Sequence, residues 1–534
     1  MKEEKKEHST IQGKYDYLKS DRDQFLNTAL VASDLTLPYL VRDEGEHYIK
    51  SQSELRQPWQ SVGAKGVVTL ASKLMLALMP VQTSFFKLQL DEMKLDEQQV
   101  DPTVRSEIDL SFAKIERTIN EMIAASDDRV VVHQALKHLV VTGNALIFMG
   151  KDRLKLFPLN RYVVERDGNG NVLEIVTKER INRHIVAEQF PPEEAKKFLQ
   201  IEKLDDTEER NTRKDDVDVY TCVKRKGKQF YWYQEVLGKK IPNSNGHAPI
   251  EITPWIPLRF NTLDQEPYGR GRVEEFLGDL RSLEALSQAI VEGSAAASKV
   301  VFVVSPSSTT KPQTLAAAGN GAIVQGRPDD IGVVQVGKTA DFATAQQMIT
   351  TLERRLSEAF LIMNVRDSER TTAEEVRMTQ LELEQQLGGL FSLLTVEFLV
   401  PYLNRKLNVY QKSNAIPQIP KDIVKPTIVA GLNALGRGQD RDSLAQFMQL
   451  IATTMGPEAI AQYINPEEVI KRLAAAQGID ALNLVKTKEE LQAEMAQSQQ
   501  AEQDLELTKQ ASQFANIESQ QQSGETQGNP QAGY

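Results

Sequence analysis

Tyr268-Gly-Arg-Gly-Arg-Val-Glu-Glu-Phe-Leu-Gly-Asp-Leu-Arg-Ser-Leu-Glu284 opens the stretch that decides the architecture. After the two glycines flanking Arg270, Val273, Phe276, Leu277, Leu280, Leu283 and Ile290 recur on one face of a helix. Glu274, Glu275, Asp279, Arg281 and Glu284 lie largely off that face. A second helix is predicted over Phe342–Ile362, with Ile349, Leu352, Leu356 and Phe360 in register. At the usual rise per residue each helix is about 30 Å long or more. Between them stand two short β runs, Val300–Val304 and Ile331–Val336, joined by Ser/Thr/Gly/Pro-rich connections. The pattern is an antiparallel helix pair carrying a small β tip.

On the N-terminal side, residues from about Thr10 to Lys87 read as helices, with Leu70, Leu74 and Leu78 four apart and Pro80 closing the run. Ile108–Ala125 reads as a second amphipathic helix and Val130–Leu146 as a third. The texture then turns to β. Arg161–Arg166 and Asn171–Thr177 flank Asp167-Gly-Asn-Gly170, residues that tolerate the positive φ a hairpin turn needs. Val217–Arg225 and Gln229–Leu237 form another hairpin around Lys226-Gly227. Ile250–Phe260 is a strand that Pro254 and Pro257 place at a sheet edge. On the C-terminal side, the polar run Asn364–Arg370 precedes Thr371-Thr-Ala-Glu-Glu375, a capping box. The long helix that follows carries Val376, Leu383, Leu387, Leu390, Leu394 and Phe398 on one face and runs to Pro401, where a kink is expected. Short helices are predicted at Asp440–Thr454 and Pro466–Gln477, before a Gln-rich tail. The fold class is α+β, predominantly helical.

Composition narrows the function. The 534 residues hold 63 Lys plus Arg against 74 Asp plus Glu, a net charge of −11. That balance excludes a simple basic module that coats nucleic acid by neutralising phosphates. One cysteine, Cys222, excludes a disulfide framework and any multi-cysteine metal site, and it suits a reducing compartment. The most apolar runs, Val67–Val81 and Leu390–Leu403, are interrupted by Lys73 and by Glu397 and Pro401. Neither reaches the unbroken length of about twenty residues that a bilayer requires, so the expectation is a soluble protein with no membrane partner. With no apolar run behind Met1-Lys-Glu-Glu-Lys-Lys-Glu7, no signal peptide is expected there.

Several motifs invite chemistry. Gly332-Val-Val-Gln-Val-Gly337-Lys338-Thr339 matches the phosphate-loop pattern letter for letter. The strand before its first glycine is missing, however, because the turn Arg327-Pro-Asp-Asp330 stands there, and the supposed loop is itself strand-prone. It reads as a strand, and no nucleotide or other cofactor is expected. Asp167-Gly-Asn169-Gly-Asn171 resembles the start of a calcium loop, but Val172 stands where the turn glycine belongs and Lys178 at the twelfth position. The basic and aromatic run Lys224–Tyr233 suits a single-strand binder or, equally, a hairpin with one packed aromatic face, and the second reading is preferred. His133 and His138 are wrongly spaced for a shared metal, and none is expected. Nothing in the chain demands an enzyme.

A collinear series of segments resembles one family. Gln57-Pro-Trp-Gln-Ser-Val-Gly-Ala-Lys-Gly66, Leu70–Leu78, Leu136-Lys-His-Leu-Val-Val-Thr-Gly-Asn144, Tyr162–Val172, Tyr268–Glu284, Thr372-Ala-Glu-Glu-Val-Arg377 and Gly431–Asp440 together are similar to the portal, or head-to-tail connector, proteins of short-tailed podovirus-type bacteriophages. The resemblance spans roughly residues 15 to 480 and leaves out the tail. It implies a homo-oligomeric ring, usually of twelve subunits, at one capsid vertex of the virion, assembled in the host cytoplasm. It also implies a non-enzymatic channel for double-stranded DNA in genome packaging and ejection.

The family's parts are carried over as a wing (1–267), stem helices (268–298 and 341–362), a clip (299–340), a tunnel loop (363–371), a long wing helix (372–412) and a crown or barrel (413–490), with the low-complexity tail at 491–534. The implied partners are the major capsid protein, the scaffolding protein, the terminase large subunit, the tail adaptor and internal core proteins. On this reading a mainly acidic bore lets DNA slide. Arg366 and Arg370 of the tunnel loop form a basic ring around it, unless they pair with Asp367 or Glu369. Glu274, Glu275 and Asp279 of the first stem helix face the channel, unless Arg281 or Arg354 of a neighbouring subunit takes them. Two other readings stay open: a nucleotide-driven packaging motor using Lys338 and Thr339, and a cytosolic helical scaffold.

Overall fold

The computed structural model describes residues 10–42, 57–80, 84–90, 102–151, 153–199, 216–297, 301–306, 311–317, 331–334, 339–362, 388–417, 424–428 and 447–454, with single positions at 319, 323, 456 and 469. The chain divides into two compact units, Met1–Ala434 and Leu435–Tyr534. In the second, 447–454 is helical. All that follows concerns the first.

Helix α1 (Ile11–Asp34) starts where the Thr10 side chain accepts the Gly13 N–H. Helix α2 (Val62–Leu78) buries Leu70, Leu74 and Leu78, the triplet spaced by four. The expected helical run does not extend to Lys87, because Phe86–Leu90 is a strand, β1. Helices α3 (Pro102–Ala124) and α4 (Asp128–Thr142) follow. Sequence periodicity carries α4 to Leu146, but Gly143 adopts φ +73° and stops it, its N–H still bonded to Leu139 O at 2.9 Å. The apolar residues beyond become β2 (Asn144–Met149).

Strand β2 lies between β3 (Leu154–Phe157) and β10 (Trp255–Arg259), all antiparallel. Strand β10 occupies the edge that Pro254 and Pro257 predict; Ile250–Ile252 ahead of it is a 3-10 turn. A six-stranded antiparallel sheet runs β4 (Tyr162–Arg166), β5 (Val172–Asn182), β6 (Asp216–Lys226), β7 (Gln229–Val236) and β8 (Lys239–Lys240), with β9 (Gly246–Pro249) also on β7. Both expected hairpins are present. Short helices α5 (Arg183–Ala187) and α6 (Pro192–Leu199) pack at one end of the sheet.

The decisive segment forms a short α7 (Arg272–Glu275) and the long α8 (Leu277–Ala297), packed against α10 (Thr339–Ala359). Between them, β11 (Val301–Val304) and β12 (Ile331–Val334) pair antiparallel around α9 (Pro312–Ala317). Beyond Gly388 the chain is helical, widens to a π-helical turn at Thr395–Leu399, and continues as α11 (Val400–Lys412). The irregularity expected at Pro401 takes this form. Proline has no N–H for the regular ladder, and the Val400 N–H reaches five residues back to Thr395 O. Strand β13 (Val424–Ile428) pairs with β1 across more than three hundred residues. One continuous core joins α2, α3, α4, the helix pair and 391–416; a second lies between α1 and the sheets.

Candidate functional site

Of the segments singled out in the sequence, those within the described residues meet at the root of the α8–α10 pair, while Thr372–Arg377 and Gly431–Asp440 lie outside them. Asn144 Nδ2 donates to Gly269 O and the Gly269 N–H donates back to Asn144 Oδ1, both at 2.7 Å. Three glycines make that approach possible. A Cβ on Gly143 would sit 2.4 Å from the Arg270 carbonyl carbon, one on Gly269 2.7 Å from Gly143 O, and one on Gly271 2.6 Å from Val141 O. Thr-Gly-Asn144 and Gly-Arg-Gly271 are thus two halves of one crossing. Tyr268, fully buried, accepts the Val164 N–H at 3.0 Å and ties this crossing to the sheet.

The helix pair is gripped from α2 and the chain before it. Glu284 is 4% exposed, and its carboxylate accepts the Trp59 N–H at 3.0 and 3.1 Å. Sequence periodicity left this residue off the apolar face; its role as a buried acceptor has no periodic signal. Gly66 lies so near Phe360 that a Cβ would stand 2.7 Å from the ring. The end of α10 closes with Ile362 N–H on Ser357 O (2.7 Å) and Leu361 N–H on Glu358 O (3.1 Å), a Schellman arrangement with Leu361 at φ +56° where glycine is usual. Two cations cover the last carbonyls. Arg272 donates to Ala359 O at 3.3 and 3.4 Å, and Lys73 Nζ to Leu361 O at 2.7 Å. Positive charge at a helix C-terminus offsets the dipole there, although burial lowers the Lys73 ammonium pKa.

The three acids assigned to a channel face each have an arginine from their own chain. Glu274 pairs with Arg270 at 2.5 Å, Glu275 with Arg272 at 2.7 Å and Asp279 with Arg355 at 2.9 Å. Arg270 also holds Glu266 at 2.6 Å, and hydrogen bonds to the two carboxylates raise its pKa. A cleft of about 510 Å³ opens between Glu275, Phe276, Asp279, Arg355 and Glu358.

Nearby, Glu397 of the π-helical turn accepts from Arg259 three times: from the backbone N–H at 3.1 Å, Nε at 3.0 Å and a terminal nitrogen at 2.5 Å. Arg166 points into the same region and donates to the carbonyls of Pro267, Gly170 and Pro257. Burial first, then the Arg259 charge, lowers its pKa to about 10, and Glu397 counters that.

Gly332 lies inside β12, so the phosphate-loop lookalike has its first glycine within a strand of an antiparallel pair, and Thr339 begins α10. Gly337, Lys338, Arg366 and Arg370 lie outside the described residues. The calcium-loop lookalike is a closed turn in which Asp167 accepts the Asn169 and Asn171 N–H groups at 3.0 and 2.7 Å. His133 meets Ser72 at 3.2 Å, and His138 is buried. No group of metal-ligating side chains occurs, and no helix is long and apolar enough to cross a membrane, among the described residues.

The model of the family described as bacteriophage head to tail connecting protein matches residues 8–485, which defines the class: proteins that join a phage head to its tail. The chain is 38% identical over 497 residues to the portal protein of Escherichia phage T7, covering 90% of this chain and 89% of that one. It is 38% identical over 492 residues to the portal protein of Enterobacteria phage T3, covering 90% and 89%. The chain belongs to this head-to-tail connecting family, the portal proteins of short-tailed phages. A chain in the solved neck of an empty GTA particle aligns over 78% of this chain and 90% of its own, at 11% identity and a TM-score of 0.35; at that distance the likeness adds nothing to the assignment.

Proposed function

We propose that twelve copies of this chain close into a ring at one capsid vertex and act as the conduit for double-stranded DNA, inward during packaging and outward during ejection. The observation that carries this reading is the family match over residues 8–485. The helix pair is the stem. Its acids Glu274, Glu275 and Asp279 face the bore, each paired with an arginine of its own chain, so the wall repels DNA only weakly. Arg366 and Arg370 of the tunnel loop supply a basic ring for the same channel. The ring assembles in the host cytoplasm, is nucleated with scaffolding and major capsid proteins, docks the terminase large subunit at the clip, and later holds the tail adaptor and internal core proteins.

The work is mechanical, without catalysis. A nucleotide site at Lys338 would need Gly332 after a strand, and the glycine is within one.

Native mass spectrometry with negative-stain imaging of the purified protein tests the reading. Rings with a hole as wide as duplex DNA are expected; a monomer at every concentration, with shell and scaffold proteins added, overturns it. Replacing Arg366 and Arg370 with alanine should leave rings intact and weaken packaging; unchanged packaging removes their assignment.

A further inference from the structure

The structure divides the basic and aromatic run Lys224–Tyr233 between the two faces of its hairpin. Phe230 and Trp232 point inward onto the second core beside Val223. Tyr231 and Tyr233 point to the opposite face. Ile11 and Tyr15 of α1 cover that face over Tyr220 and Cys222, with Tyr233 packed partly beneath them. Towards the hairpin tip the cover ends. There Lys224, Tyr231 and His247 sit side by side across β6, β7 and β9. Tyr231 is 42% exposed, and the His247 ring stacks on it at 5.8 Å between centroids and 24° between planes. Lys226 Nζ stands 5.8 Å from the Tyr231 ring centre, and Lys240 Nζ 5.0 Å from that of Tyr233. Lys224, Lys226, Lys228 and Lys240 are exposed and in no ion pair among the described residues. The row runs on to Glu174, which is buried and already taken by Lys14 at 2.5 Å and by the Cys222 thiol, and beyond it to Glu165 on the edge strand β4. Glu235, opposite Lys240, is buried and accepts the Ile11 N–H at 3.2 Å.

On a chain of net charge −11 this is a local concentration of exposed cations around an open aromatic platform, with the carboxylates opposite them, Glu174 and Glu235, buried. Free lysines accept phosphates, and an exposed, pre-stacked Tyr–His pair accepts one more planar ring. An acidic peptide would use the first feature only, and a duplex keeps its bases out of reach of the second. We infer that the β6–β7–β9 face is a binding site for single-stranded DNA, separate from the stem, with Tyr231 and His247 stacking on a base and Lys224, Lys226 and Lys240 tracking the backbone.

Fluorescence anisotropy of a short labelled oligodeoxythymidine, within the about 4–16 nucleotides such sites span, tests this on the full-length protein. Tyr231→Ala should weaken binding about 5-fold or more, while Tyr231→Phe should retain it. Lys224→Ala with Lys226→Ala should reduce the salt slope by about 1.4, at about 0.7 per phosphate contact on single strands. Far-ultraviolet circular dichroism and particle size should match wild type throughout, since all three side chains are exposed. Four results each overturn the inference: no binding, equal affinity for the duplex, indifference to Tyr231→Ala, or displacement by polyglutamate as readily as by unlabelled oligonucleotide.

Discussion

Glu397→Gln is the substitution expected to destabilise the subunit most selectively. The carboxylate sits 13% exposed against an Arg259 side chain 11% exposed, and accepts three hydrogen bonds at 2.5–3.1 Å. Removing its charge leaves two largely buried guanidinium groups, Arg259 and Arg166, beside each other with no carboxylate bonded to either among the described residues. Breaking a buried pair in this way costs about 3–5 kcal/mol. Arg259→Gln should cost less, about 1–3 kcal/mol, because Glu397 keeps the Arg259 backbone N–H and the field of Arg166. The combined Arg259→Met and Glu397→Leu variant should lose less than the two single losses added together, since neither charge is then stranded. Urea midpoints read by tryptophan fluorescence suit the test, because Trp255 is buried on the same strand as Arg259. The reasoning is refuted if Arg259→Gln proves as damaging as Glu397→Gln, or if the double variant is simply additive.

Other outcomes follow from the same geometry. Burial pulls His138 from 6.5 to about 4, so the unfolded chain takes the proton first; stability is then lost as pH falls from about 6.5 towards 4, by about 3 kcal/mol, and His138→Gln should flatten that acid limb in a pH series of urea midpoints. Burial, then Glu174, pushes the Cys222 thiol up, so a maleimide should label it only after denaturation; rapid labelling of the folded protein would contradict this. Gly143→Ala combines a φ of +73° with a Cβ 2.4 Å from the Arg270 carbonyl carbon, and should cost about 3–5 kcal/mol, visible as lost soluble yield; a soluble, wild-type-like variant would exclude the tight crossing. Asp279→Asn faces an Arg355 that is 59% exposed, so its unfolding free energy from urea titration should fall by less than about 1 kcal/mol.

What the sequence disclosed followed the range of the forces involved. Local determinants were readable: the Leu70, Leu74 and Leu78 stripe, the Asp167 turn, the edge position that Pro257 imposes and the decisive helix pair all lie within a few residues of their cause. Periodicity carries α4 too far because the apolar run passes through Gly143 without a break, although Thr142-Gly-Asn144 holds the stop signal. Long-range consequences were hidden. Nothing local couples β1 to β13, or Glu284 to Trp59. For the acids proposed to line the channel, the sequence named Arg281 or Arg354 as partners, and the structure gives Arg270, Arg272 and Arg355 instead. Arg270 and Arg272 stand one helical turn before Glu274 and Glu275, a spacing that could have been used, whereas the Asp279–Arg355 pair exists only once two helices pack.

The closing of α10 has a mechanical meaning. Its final turn is nailed at three points, by Arg272, by Lys73 and by Phe360 seated on Gly66, at one end of a rod about 31 Å long. A beam clamped at one end transmits a sideways push as torque at the clamp. Force applied far along the rod would therefore be felt first at α2, which supplies two of the three nails, so this fulcrum would let the buried helical layers register a load delivered at the distant end.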